Sequence, residues 1–317
     1  MADGLDEGAI LRAVLVDDPT FGSASPLRIE VAQVLVNPVA TRSGARIDEW
    51  WRFDGVVLGC FIYQGGQHKL EGSAVLVAPG IALAARHVTQ AYEDQLREGN
   101  AELWCIGLMR NGPVLWSVQH YTCPGDADIA ILGMILRSPP PPEPIRTATL
   151  STRLPGIGET LMFVGIVSVG APVAGIDGLV PEFSSQVLAS AGQVSEQYPV
   201  RRDTVMAPFP CLEVQCHTVG GMSGGPVFDK AGFLVGLLAT SFSSIDEAGP
   251  SYPGLLWPAL VCEFEGGWPT GVFAGKKTLL QLAGRRLCAI DRPDAIQLAP
   301  TSPADERHPV YHYLPRT

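Results

Sequence analysis

The sequence predicts an all-β protein built in two halves, and three observations predict it. Short apolar runs separated by turn signals recur from Val56 onward. Glycine and proline together supply 62 of the 317 residues (35 Gly, 27 Pro), while long stretches of helical periodicity are scarce. A proline run, RSPPPPEP from Arg137 to Pro144, divides two sets of apolar runs that are alike in size and texture. With 46% hydrophobic and 17% charged residues, the chain can bury a full core and lacks the composition of a disordered protein.

Residues 1–45 read as an N-terminal extension. An amphipathic stretch (Ala9, Ile10, Ala13, Val14) is followed by breaks at Pro19, Pro26 and Pro38. Asp3, Asp6 and Glu7 stand where a secretory leader would carry basic residues, and no apolar run reaches the roughly 18 residues of a membrane span. Residues 46–137 hold VVLGCFIY, SAVLVAP, IALAARHV, AELWCIGLM, VLWSVQHY and DIAILGMI, separated by GGQ, PG, NG and PGD. Strands at such short spacing predict a barrel or sandwich. Residues 138–148 read as a stiff linker, because successive prolines lack N–H donors and favour polyproline II. A second β unit occupies 149–262, with ETLMFVGIVSV, QVLASAGQV, CLEVQC, GPVFD and FLVGLLATSF, and shares no residue-level repeat with the first. In 263–317 and just before it, GLLWPALVCEF reads as strand, and Leu279, Leu280, Ala283 and Leu287 form a helical stripe. Roughly the last 25 residues form a Pro-rich tail with few signals of order.

The net charge of −10 argues against a protein that coats nucleic acid or an anionic membrane and favours a neutral or basic peptide or protein partner. Seven cysteines are scattered singly without a CxxC pair, which reads as buried, reduced thiols of a cytoplasmic protein. Cys211, Cys216 and His217 are too few and wrongly spaced for a structural zinc site, so no metal is expected.

The densest local signal is Val219–Phe228, VGGMSGGPVF. A nucleophilic serine needs its Oγ exposed on a tight turn with backbone N–H groups aimed where an oxyanion forms, and glycines permit that turn. Two architectures use such a serine. An α/β-hydrolase elbow runs from strand into helix, with a chain order that Ser223, Asp291 or Asp294, and His308 would satisfy. Here, however, GPVFD passes through Asp229–Gly232 into FLVGLLATSF, which reads as a β-hairpin. Upstream, His87 ends the run IALAARHV, and Asp126 and Asp128 stand before AILGMI, giving the order His, Asp, Ser.

Ala84-Ala85-Arg86-His87, Asp128-Ile129-Ala130-Ile131-Leu132 and Gly221-Met222-Ser223-Gly224-Gly225-Pro226 resemble, in order, three motifs of the trypsin-like (chymotrypsin-fold) serine peptidases, in particular the bacterial trypsin-like and HtrA-type branch. The resemblance implies two six-stranded antiparallel β-barrels, with His87 and Asp128 on the first and Ser223 on the second. It assigns His87 as general base, Asp128 rather than Asp126 as its orienting acid, and Ser223 as nucleophile. The N–H groups of Gly221 and Ser223 would form the oxyanion hole, and no cofactor is needed. His217, six residues before the serine, would lie at the base of the primary specificity pocket, with Thr218 nearby and Leu238, Ala239, Thr240 and Ser241 as one wall.

The sequence departs from the family pattern at two places. Met222 replaces the Asp that pairs with a newly cut N-terminus in zymogen-activated relatives, so a preformed oxyanion loop or another form of control is expected. Arg86 replaces a small residue beside the histidine, where it would be harmless if exposed and could gate the site if folded over it. With no acid in the pocket, small or medium uncharged side chains are the expected preference, and acidic ones the second. After Phe242 too few residues remain for a separate PDZ domain. The expected activity is a serine endopeptidase with restricted substrates, open to control by an activating or regulatory protein. The alternative is a dormant peptidase fold that binds a peptide or partner.

Overall fold

The computed structural model describes residues 55–109, 112–142, 145–168, 185–242, 248–267 and 275–298 with Phe53, and the backbone of strands at 10–14, 28–34, 45–46 and 311–313. In the first half six strands close into an antiparallel barrel: β1 (Val57–Gln64), β2 (Gln67–Ala78), β3 (Ile81–Ala84), β4 (Ala101–Met109), β5 (Gly112–Thr122) and β6 (Ala130–Leu136). Their order around the wall is β1-β2-β3-β6-β5-β4, and β4 pairs back onto β1. The turn from β1 to β2 has only two residues, Gly65 and Gly66, both at positive φ (59° and 79°). A tight hairpin turn whose twist matches the strands requires that conformation, which glycine adopts without strain.

The second half closes six more antiparallel strands: β7 (Thr160–Ser168), β8 (Ser185–Tyr198), β9 (Cys211–Cys216), β10 (Pro226–Phe228), β11 (Leu234–Ser241) and β12 (Gly249–Leu255). Around this wall the order is β7-β8-β9-β12-β11-β10, with β10 pairing to both β11 and β7. Shifted by six, this is the order of the first barrel. The duplication that residues do not show is present in the topology.

The apolar runs follow from where the barrels meet. Leu58, Cys60, Leu76, Ala82 and Leu132 fill the first interior, and Leu161, Phe163, Val214 and Val227 the second. The alternate residues of the same strands, Val75, Val77, Ile81, Leu83 and Ile131, pack in one shared layer with Met162, Val164, Ile166 and Phe228. Strands β2, β3, β6 and β7 are therefore covered on both faces, so their sequences read as continuous apolar runs rather than as an alternation. Each fully buried side chain in that layer contributes about 1.5–3 kcal/mol.

Between β3 and β4 lie two short helices, α1 (His87–Gln90) and α2 (Glu93–Arg97). GLLWPALVCEF does not form one strand: β12 ends at Leu255 and α3 (Trp257–Val261) begins. Pro258 sits in the first turn of that helix, where its missing N–H costs nothing and its fixed φ suits the helix. The predicted helical stripe forms α4 (Leu279–Gly284), capped by a reciprocal Thr278–Gln281 capping box, with Leu279 and Leu282 buried. The linker is shorter than the sequence suggests. Ile145–Ala148 pairs as a parallel strand with Arg28–Val34, which pairs antiparallel with Ile10–Val14, so the amphipathic N-terminal stretch is a strand. Ile145–Ala148 contains no proline and keeps every N–H donor for that ladder. All seven cysteines are free, and Cys123 and Cys262 are half-buried rather than buried. His308 lies outside the described residues.

One ion cluster ties the second barrel together. Arg153 donates from both terminal nitrogens to Glu159 at 2.6 Å and from Nη2 to the buried Asp229 at 2.7 Å. Asp229 Oδ1 accepts the N–H groups of Ala231 and Phe233, which shapes the β10–β11 turn. Burial alone would raise the Glu159 carboxyl, but hydrogen bonds from Arg153 and the Gly156 N–H outweigh it and hold the group below its ordinary 4.5. A depressed folded-state value contributes stability above the unfolded value, and that contribution is lost as pH falls through the folded one. Arg153→Met is expected to cost about 2 kcal/mol at pH 7, discounted for the partial exposure of the arginine. That corresponds to a Tm lower by about 3 °C for a chain of this size. The penalty should shrink at pH 3, and calorimetry giving an equal loss at both pH values would count against this cluster.

Candidate active site

His87 and Asp128 meet because β3 and β6 are antiparallel neighbours in a fixed register. Ala84 pairs with Ala130, so the residue three beyond the end of β3 lies beside the residue two before β6. Buried Ala127 and Ile129 anchor the acid on either side. The two carboxylate oxygens of Asp128 are used separately: Oδ1 accepts the backbone N–H of His87 at 2.9 Å, and Oδ2 lies 2.7 Å from His87 Nδ1. One carboxylate thus holds both the backbone and the imidazole of His87, while the His87 side chain stays 42% exposed toward the cleft. Asp126 lines the same cleft, but His87 takes both carboxylate contacts from Asp128.

Ser223 stands in the loop between β9 and β10. The loop is a compact turn in which Met222 N–H donates to Val219 O (3.2 Å) and Gly225 N–H to Met222 O (2.9 Å). Gly221 and Gly224 occupy positive φ (95° and 77°). Gly224 N–H donates to Leu238 O and Leu238 N–H to Gly225 O, which stitches the loop to β11. The Met222 side chain, 1% exposed, is buried in the second barrel, and a Cβ on Gly165 of β7 would lie 2.7 Å from its Cα. The loop is therefore held by an apolar anchor at the position where an ion-pairing Asp stands in zymogen-activated relatives. Among the described residues, neither Gly221 N–H nor Ser223 N–H donates to a backbone carbonyl.

His87, Asp128 and Ser223 line one open cleft of about 470 Å³ between the barrels. Ala239, Thr240 and Ser241 of β11 form part of its wall, as the sequence suggested. Leu238 points instead into the interior of the second barrel, following the two-residue period of the strand. Thr218 is buried with its hydroxyl against Ser241 Oγ, which also meets Ser251 Oγ at 2.9 Å, so three hydroxyls run in a chain behind the wall. His217 is half-buried and is not among the residues that line the cleft. The opposite wall, Val205, Met206, Pro208 and Phe209, comes from the β8–β9 connection, which sequence reasoning did not single out. Arg86 lines the cleft mouth, with Nε 3.5 Å from Glu93 Oε1 and Nη1 3.5 Å from the Gly125 carbonyl. Nearby Cys123 is no competing nucleophile at neutral pH, since burial pushes its thiol up.

Comparison with known proteins follows the same lines. Among curated proteins none matches this sequence significantly. Among solved structures, the HtrA-type protease AlgW with a tripeptide is 20% identical, with 63% of this chain and 56% of that chain covered and a TM-score of 0.41. The MamO protease domain from Magnetospirillum magneticum is 15% identical (64% and 92% covered, TM-score 0.42). A serine endoprotease from Yersinia pestis is 18% identical (63% and 58%, TM-score 0.39). The chain thus spans less than two thirds of the AlgW and Yersinia proteins. Residues 72–237, more than half of the sequence and inclusive of His87, Asp128 and Ser223, match the trypsin-like peptidase domain, and the chain belongs to that family.

Proposed function

We propose that the chain is a serine endopeptidase that cleaves a narrow set of protein or peptide substrates by acyl transfer to Ser223. The observation that carries this reading is the bond between His87 Nδ1 and Asp128 Oδ2, at 2.7 Å, beside a cleft that Ser223 also lines. With its Nδ1 proton donated to Asp128, the imidazole presents Nε2 as an acceptor. It takes the Ser223 Oγ proton as the oxygen attacks the scissile carbonyl and returns that proton to the leaving amine. Water then enters by the same route, and Ser223 leaves the acyl group. The N–H groups of Gly221 and Ser223 stabilise the charge on the tetrahedral oxygen, each worth about 3–4 kcal/mol in the transition state.

The hydroxyl chain Thr218–Ser241–Ser251 behind the wall, with no carboxylate among the cleft-lining residues of β11, supports small or medium uncharged side chains at the primary pocket. The seven cysteines, scattered singly along the sequence without a CxxC pair, support a reducing, cytoplasmic setting. An active peptidase in that compartment calls for restraint, and a regulatory protein partner is part of the proposal.

The test is labelling of the intact protein with a fluorophosphonate probe, read by mass spectrometry, for wild type, Ser223→Ala and His87→Ala. Modification confined to Ser223 and lost with His87→Ala is the expected result. No labelling of the wild type would sink the reading in favour of a module that binds without cleaving.

A further inference from the structure

Resting on the peptidase reading above, we infer that Ser73 of β2 is a positioning residue that clamps the oxyanion-binding loop of the opposite barrel. Ser73 is fully buried at the seam. Its Oγ donates to the Gly221 carbonyl at 2.8 Å and accepts the Ile166 N–H of β7 at 2.8 Å, so both hydroxyl functions are used. Its backbone N–H donates to the Ser223 carbonyl at 2.7 Å. One residue of the first barrel thereby holds two peptide groups of the Ser223 loop and ties them to the neighbouring strand.

The peptide groups it holds flank the Gly221 and Ser223 N–H groups: the Gly221 carbonyl shares its peptide with the Met222 N–H, which donates to Val219, and the Ser223 carbonyl shares its peptide with the Gly224 N–H, which donates to Leu238, so Ser73 adds the grip from the opposite barrel. Gly221 has no side chain and sits at a φ of 95°, where rotation of its peptide groups meets little steric resistance. Its direction is set by hydrogen bonds, and the bond to its carbonyl comes from Ser73. Met222 anchors the loop in the core through its side chain and, with its N–H on the Val219 carbonyl, secures one end of that peptide, while Ser73 secures the carbonyl end. The neighbours of Ser73 enforce the same approach. A Cβ on Gly72 would lie 2.8 Å from the Ser223 carbonyl, and one on Gly224 would overlap the Ser73 carbonyl. Only bare backbone fits on both sides of the contact, so the clamp closes at hydrogen-bond distance. In this chain the hydroxyl of Ser73 does the orienting work that zymogen-activated relatives obtain from an ion pair.

The test compares Ser73→Ala with Ser190→Ala. Ser190 is an equally buried serine of β8 whose hydroxyl has no hydrogen-bond partner among the described residues. Hydrogen–deuterium exchange by mass spectrometry should show peptides covering 219–226 exchanging about tenfold faster in Ser73→Ala, with β9 unchanged and Ser190→Ala like wild type. On a cleaved peptide, kcat should fall about tenfold or more with KM unchanged, the pattern of a group felt only in the transition state. Should Ser73→Ala not fold, Ser73→Cys, which keeps a weaker donor at similar size, carries the same readouts. Wild-type exchange in 219–226, or a rise spread evenly over both barrels, would overturn the clamp. Absence of cleavage by wild type would instead overturn the peptidase reading, and the exchange result would still decide the clamp.

Discussion

Asp128→Asn is expected to lower kcat by about 10⁴-fold while leaving KM and Tm near those of the wild type. An asparagine is nearly isosteric, so the Oδ1 position can still accept the His87 backbone N–H. What changes is the group facing Nδ1. An amide NH₂ there donates, and a ring nitrogen that accepts must be unprotonated, which moves the imidazole proton to Nε2. A protonated Nε2 cannot take the proton from Ser223, so the base is present in the wrong tautomer. Asp126→Asn is the matched control, since Asp126 lines the cleft without being the carboxylate that holds the ring. Steady-state kinetics on a fluorogenic peptide decides between them: equal activity of Asp128→Asn and wild type, or a loss confined to Asp126→Asn, would reassign the acid.

A second large effect is expected at Gly224. Its φ of 77° already strains an L-residue by about 1–2 kcal/mol. The added methyl would also overlap the Ser73 carbonyl and lie 2.6 Å from Ala85 N, both rigid backbone of the first barrel. Overpacking of that kind costs about 1–3 kcal/mol, so Gly224→Ala should lose roughly 2–5 kcal/mol in all and lower Tm by about 3–8 °C. The same displacement carries the neighbouring Ser223 away from His87, so covalent labelling should disappear even below the melting range. Gly220→Ala, where a Cβ meets nothing within 4 Å, should be tolerated. Melting and labelling of Gly224→Ala indistinguishable from wild type would mean that the barrels do not pack through this contact.

The strands were legible because their burial on both faces writes itself as unbroken apolar text, as in SAVLVAP and IALA. The serine loop was legible because a tight turn with exposed N–H groups requires glycines at fixed places around Ser223. Other parts left no such trace. The wall made by Val205, Met206, Pro208 and Phe209 is a connection, and a connection has no periodicity to betray what it packs against. The middle of GLLWPALVCEF, Trp257–Val261, is helical with Pro258 in its first turn, whereas apolar density alone fits strand and helix equally. Ser73 looked like one small residue in an apolar strand, since only the docking of the second barrel gives its hydroxyl two partners. Leu238 was drawn toward the pocket by its position along the chain, but strand alternation turns it into the barrel interior.

The shared apolar layer between the barrels also sets a schedule. His87 and Asp128 are complete once the first barrel closes through β6, but Ser223 arrives only with the third and fourth strands of the second. In chain order His87 and Asp128 therefore precede Ser223 by three strands of the second barrel. On the peptidase reading, the site exists only where the two barrels dock, so activity belongs to the docked pair and to neither barrel alone.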